Sequence, residues 1–269
     1  CKNHIKSLKR SKKRDMNGRH KQKNMGKNSQ DQFRKMTETP ISGLILSLAA
    51  PTIASMMVTN LYNTADTWFV SRAGTSASGA VSVVFSLMAI YQAFGFMFGH
   101  GAGSNISRKL GEKREDLVKT YASTSLFLSL ACGAAVSVLG LLFMNPLLRL
   151  LGSTETILPY ARQYVFWVLL AGPLLSGSCV LNNILRYEGQ AFYAMIGLMT
   201  GGILNMIGDP ILMFGCKLGV SGAGISTAVS QLISFGILLG MFRGDKTIST
   251  FRLSCFTGDV RVVKDIISA

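Results

Sequence analysis

Residues 41–72 read ISGLILSLAAPTIASMMVTNLYNTADTWFVSR. No Asp, Glu, Lys or Arg occurs in the 25 residues from 41 to 65. A helix needs about 20 apolar residues to cross a hydrocarbon core of roughly 30 Å, so the stretch predicts a membrane-spanning helix. Pro51 lies inside it. In a bilayer this predicts a kink near Ala50 rather than a break, because neighbouring helices re-satisfy the backbone group that proline frees. Asp66 closes the uncharged run, just ahead of Trp68 and Phe69, and the next charge is Arg72. A carboxylate at this depth is costly unless it reaches the headgroups or faces a polar cavity inside a helix bundle.

The rest of the chain repeats the pattern. Charged residues are 15% of the 269, against about 25% in a soluble domain, and the mean hydropathy is +0.34. A soluble enzyme of this length would need more charge to cover its surface, so the composition points to an integral membrane protein. Five more spans are expected, at about 73–107, 120–142, 160–185, 191–214 and 222–242. Gly172-Pro173 marks a bend in the fourth. Glycines at 95, 99, 101 and 103 permit a close helix–helix approach in the second. The GHGAGS run at 99–104 has neither a following Lys-Ser/Thr nor a preceding strand, so it is not a phosphate loop.

The flanks differ from this core. Residues 1–40 carry 13 Lys/Arg against 3 Asp/Glu, including KRSKKR at 9–14, with little apolar content. They are expected to be a disordered, basic cytosolic tail beside anionic membrane lipids, not a nucleic-acid-binding module. Residues 243–269 return to mixed charge, with an amphipathic segment at 259–269. The domain plan is therefore a tail (1–40), a six-helix transmembrane lobe (41–242) and a cytosolic loop (243–269). The chain opens on Cys1 and stops after KDIISA, where another apolar segment would begin. Further hydrophobic helices are therefore expected beyond Ala269.

Loop charges orient the lobe. With the tail inside, the inner side also holds Arg108, Lys109, Lys113, Arg114, Lys119 and Arg186, and Arg243, Lys246, Arg252, Arg261 and Lys264 near the end. The outer side holds only Arg72, Arg149, Arg162 and Lys217. Six crossings of a cell (inner) membrane, with both ends cytosolic, satisfy the positive-inside rule.

Chemistry-bearing residues are few. Cys1, Cys132, Cys179, Cys216 and Cys255 show no CxxC spacing, and His4, His20 and His100 form no metal-ligand pattern. No nucleophile–base constellation is present, so an enzyme is not expected. Two acids fall within apolar segments: Asp66, and Asp209 in NMIGDP at 205–210. Tyr62 stands one helical turn before Asp66, with Asn63 beside it, and Asn205 one turn before Asp209. Asn60, Asn182, Asn183 and Thr227 add polar groups that can line one internal pocket with them. A carboxylate in low dielectric holds its proton more tightly and exchanges it near neutral pH, and the same oxygens suit Na+ at Asp66, Asp209 and Asn205. The competing account is structural: Asp209 caps peptide groups freed at Pro210, and Asp66 sits at the interface beside Trp68.

Five patterns, taken in order and spacing, resemble the multidrug and toxic compound extrusion (MATE) family. They are APTIASMMVTNLYNTADTWFVSRAG at 50–74, GAGSNISRKLGEKR at 101–114, NNILRYEGQ at 182–190, NMIGDPILMFG at 205–215 and LGVSGAGISTAVSQ at 218–231. The resemblance covers about 41–269. It implies one six-helix lobe of a twelve-helix transporter, whose two lobes are related by a pseudo-two-fold axis around a central cavity. It implies a C-terminal lobe as partner and H+ or Na+ as coupling ion, with no other cofactor. Small lipophilic or cationic drugs and toxic compounds are the implied substrates, exported by antiport. Residue by residue, it implies an ion-coupling set of Asp66, Tyr62, Asp209, Asn205, Asn182 and Thr227. The alternative functions are a lipid-linked oligosaccharide or polysaccharide flippase of related two-lobed architecture, and a non-transporting structural or assembly protein of the membrane.

Overall fold

The computed structural model describes residues 40–72, 74–242, 247–249, 251, 256–257 and 259–268. Apart from Pro40, the expected disordered tail lies outside the described residues. Eight α-helices follow in order among them: α1 (Ile41–Ser71), α2 (Thr75–Gly111), α3 (Glu115–Leu142), α4 (Met144–Leu150), α5 (Leu158–Tyr187), α6 (Ala191–Pro210), α7 (Val220–Met241) and α8 (Val260–Ser268). Six of these, all but α4 and α8, are long and apolar enough to cross a membrane. The fold is all-α, as the hydropathy pattern predicts.

Three local features add detail to the sequence reading. The charged stretch after the second span is largely helical. α2 runs on to Gly111 with Arg108 and Lys109 in its last turn, where cations complement the negative end of the helix dipole. α1 continues through Pro51 as one helix. There the Ser55 hydroxyl donates to the Pro51 carbonyl at 2.7 Å and the Thr52 hydroxyl to Leu48 at 2.8 Å. α6 does not stop at Pro210 but widens into a π-helical turn over Ile211–Gly215. Proline has no N–H to continue the i→i−4 ladder, and a wider register carries the chain past it.

α5 is the hub. It packs against α2, α3, α6 and α7, while α1 lies on one flank, chiefly against α6. α1 therefore keeps a broad apolar face open, with Ile45, Leu46, Ile53, Met57 and Leu61 exposed. The α2–α5 contact explains the glycine spacing. Gly95, Gly99 and Gly103 recur every fourth residue on α2 and face Cys179, Asn183 and Tyr187, also every fourth residue, on α5. A Cβ at any of the three would collide with its partner, so the backbones approach as only glycine permits. Gly101 faces the other way, under the Ile266 carbonyl of α8. Helix-to-helix hydroxyl bonds add to the packing: Tyr91 Oη to Ser137 Oγ at 2.8 Å joins α2 to α3, and Ser129 to Ser176 joins α3 to α5.

One apolar cluster gathers around Leu87, Tyr91, Tyr164, Val165 and Leu169, where α2 and α5 meet the end of α1. A second surrounds Ile106, Val118, Leu181, Ile184 and Leu238, and is closed by Ile266 of α8. α8 is held there by polar bonds as well. The Asn105 amide donates to the Asp265 carbonyl at 3.0 Å, and the Tyr121 phenol to the Asp265 carboxylate at 2.9 Å. Glu188, in the turn between α5 and α6, is fully buried. Its carboxylate accepts backbone N–H bonds from Ser249 at 2.9 Å and Ile248 at 3.2 Å. This latches the segment after α7 onto the lobe.

Candidate functional site

Asp66 lies in the last turns of α1 and points inward, 3% exposed. Tyr164 of α5 donates its phenolic O–H to Asp66 Oδ2 at 3.0 Å and stands 3.4 Å from the Thr227 hydroxyl of α7. From α6, the Asn205 amide donates to Asp209 Oδ1 and to Thr227 Oγ1, each at 3.2 Å. Ser226 of α7 donates to the Asn205 carbonyl, also at 3.2 Å. A continuous polar chain, Asp66–Tyr164–Thr227–Asn205–Asp209, thus crosses four helices of the bundle.

Local sequence makes this approach possible. Gly208 lets Ser226 close on α6, and Gly202 accepts the ring of Tyr62 from α1. Asp209 stands at the last turn before the π-helical register, where Pro210 changes the helix geometry. It is completely buried.

The two acids stand at opposite ends of this one chain of hydrogen bonds. Each retains one buried oxygen without a donor: Asp66 Oδ1 and Asp209 Oδ2. Buried polar atoms are normally satisfied, and these two carboxyl oxygens are exceptions within one network. Beside them is a void of about 10 Å³, lined by Tyr62, Asn63, Asp66, Asn205, Thr227 and Ser230 among others. That is room for one water or a small ion, not for a substrate. Among the described residues, no group of three or more His, Cys, Asp or Glu side chains gathers into a metal site.

The polar residues expected to share one pocket divide between two. Asp66, Asp209, Asn205 and Thr227 form the network above. Asn60 and Asn182 line a separate cavity of about 260 Å³ between α1, α2, α5, α6 and α7. Tyr62 borders both spaces. The Asn182 amide donates to the Ala194 carbonyl at 2.8 Å, tying α5 to the start of α6 away from the acids. Asn183 packs on Gly99. Tyr164 and Ser226 are the members that the sequence did not single out. Tyr164 is 98 residues from Asp66, and no spacing rule connects them. Ser226 adjoins Thr227 and was accessible only as its neighbour.

The MatE family profile matches residues 51–211, more than half of the chain and inclusive of both acids. The chain belongs to the MatE family. A MatE protein is a transport protein rather than an enzyme. Among curated relatives, the FAD transporter of Shewanella oneidensis is 31% identical over 206 residues, which is 75% of this chain and 46% of that protein. The multidrug export protein MepA of Staphylococcus haemolyticus is 30% identical over 207 residues, 76% of this chain and 45% of that one. Among solved structures, a MATE transporter in its bent conformation superposes with a TM-score of 0.80 at 28% identity, over 90% of this chain and 53% of that one. The chain spans about half the length of the curated relatives it matches. The six-helix fold is accordingly one lobe of the MATE architecture, and the protein is a multi-pass membrane protein.

Proposed function

We propose that this chain is the N-terminal lobe of a two-lobed, H+- or Na+-coupled antiporter that exports small lipophilic or cationic compounds, and that Asp66 and Asp209 are its coupling site. Residues 41–242 form the lobe, 243–269 the cytosolic loop toward a C-terminal lobe, and residues 1–40 a cytosolic tail. The observation that carries this reading is the pair of buried acids from two helices, joined by one hydrogen-bonded chain, with one oxygen of each left without a donor. Two neighbouring carboxylates in low dielectric do not both ionise without compensation. A proton shared between them, or a dehydrated Na+ against Asp66, Asp209 and Asn205, supplies that compensation. Tyr164 and Thr227 transmit the occupancy to α5 and α7, and Tyr62 transmits it to the larger cavity. Asn182 serves that cavity rather than the ion. The relatives support an exporter, and the substrates for which they are named, FAD in one and multiple drugs in others, leave the cargo to the cavity.

The test is efflux of tetraphenylphosphonium from proteoliposomes of the two-lobed transporter, driven by a pH or Na+ gradient. Asp209→Asn keeps the shape and removes the titration, and coupled efflux should be lost while membrane expression stays near normal. Full gradient-driven efflux by the Asp66→Asn/Asp209→Asn double mutant would leave only a structural role for both acids.

A further inference from the structure

α8 turns one apolar side to the lobe and keeps a second uncovered. Ile266 is buried, and Val262 and Val263 are half-buried. Val260 is 77% exposed and Ile267 54%. By the helical period, Val263, Ile267, Val260 and Lys264 follow one another around the axis, with Arg261 next beyond Lys264. Two exposed cations therefore border the uncovered apolar edge. The nearby acids have other partners. Asp265 accepts the Tyr121 phenol at 2.9 Å, and Asp259 accepts the Arg261 backbone N–H at 3.0 Å. Among the described residues, the ion pairs join Lys109 and Arg114 to Glu112, and Arg149 to Glu155, so neither Arg261 nor Lys264 enters one.

The contacts of α8 set its depth. On α2, Gly101 faces the Ile266 carbonyl, and Asn105 donates to the Asp265 carbonyl at 3.0 Å. On α3 the contact is Tyr121. Residues 73–107 carry no Asp, Glu, Lys or Arg, and the first charges of α2 are Arg108 and Lys109. Gly101 and Asn105 precede Arg108 by about 10 and 5 Å of helix. Lys119 lies within one turn of Tyr121 on α3. α8 thus docks where both spans pass between apolar and charged sequence. A surface helix buries its apolar side about 5–10 Å into the boundary between headgroups and acyl chains, which is the level these contacts give. A soluble partner protein does not reach that level, whereas a lipid headgroup is already there.

We propose that α8 is a lipid-binding surface helix: Val260 and Ile267 enter the headgroup–acyl boundary, and Arg261 and Lys264 bind the phosphate of an anionic phospholipid. Calling that leaflet the inner one rests on the cytosolic placement of residues 243–269 above. The lipid contact itself does not, because a nanodisc presents both leaflets.

The experiment places a bimane label on Ile267→Cys in the full chain without its native cysteines, in nanodiscs mixing phosphatidylcholine with phosphatidylglycerol. Either lipid is supplied with brominated chains as the quencher. Each Lys or Arg near an anionic surface strengthens attraction about fivefold, so the phosphatidylglycerol should be preferred at the label by at least about fivefold. A label on Val138→Cys, exposed on α3 about 25 Å along the helix from Tyr121, should show no preference. Arg261→Gln/Lys264→Gln should abolish the preference at Ile267 while leaving quenching by phosphatidylcholine, and molar salt should weaken it. Absence of quenching by either lipid overturns the proposal, as does equal quenching by both on the chain with Arg261 and Lys264 intact. A preference that survives the double substitution overturns it as well. Quenching that disappears in the two-lobed transporter would give the apolar edge to the second lobe and refute the lipid assignment.

Discussion

Gly95→Ala adds one methyl group where α2 and α5 meet. The new Cβ would lie 2.5 Å from Cys179 Cβ and 2.9 Å from the Ser176 carbonyl oxygen. Neither atom can rotate away, because one is fixed to the backbone and the other is part of it. The helices must separate instead. Overpacking of this kind costs about 1–3 kcal/mol, and at roughly 2–4 °C per kcal/mol for a chain of this size the melting temperature should fall by about 2–12 °C. The assay is thermal unfolding in detergent micelles, followed by a thiol-independent probe such as loss of monodisperse elution after heating. Two second-site changes separate the cause from a general loss of stability. Cys179→Ala removes only the sulfur and leaves the offending Cβ, so it should not rescue Gly95→Ala. Cys179→Gly removes that Cβ and leaves only the Ser176 carbonyl in conflict, so it should recover part of the loss. This recovery should appear as a coupling of about 0.5–3 kcal/mol in the double-mutant cycle. Strict additivity with Cys179→Gly, or complete rescue by Cys179→Ala, would refute the account of the glycine spacing.

The Glu188 latch should depend on pH. Burial pushes its carboxyl above the ordinary glutamate value, against the opposing pull of the Ser249 and Ile248 bonds. A raised value in the latched state means that the latch is strongest below the ordinary value and weakens as pH rises through the raised one. Amide-exchange protection of Ile248 and Ser249, corrected for the intrinsic rate, should fall over that window. In Glu188→Ala it should be lost at every pH, because two N–H groups lose their acceptor; unchanged protection would rule the latch out. For topology, single cysteines at Lys113 and Thr154, in a background without native cysteines, should label differently with an impermeant maleimide on intact cells. Thr154 should react and Lys113 should not, and strong external labelling at Lys113 would invert the assignment.

The sequence alone determined the number, type and approximate limits of the spans. Membrane hydropathy is a property of local composition, and a run such as 41–65 has no other economical home. It also nominated Asp66 and Asp209, because a charge in an apolar helix is conspicuous without any knowledge of its neighbours, and it placed Asn205 and Tyr62 one turn away by helical period. The glycines of α2 were legible as small residues at four-residue spacing, although not the side chains of α5 that they receive. Only the tertiary structure decided which polar residues share a site. It brought Tyr164 to Asp66 and joined Thr227 to Asn205, since these contacts depend on how four helices cross and not on any periodicity within one. It also sent Asn182 to a second cavity and set Arg186 in that cavity's wall. From the sequence, Arg186 counts only as one more positive charge at an inner loop. Whether a carboxylate from another helix reaches it is fixed by packing, and in this packing none of the described ones does.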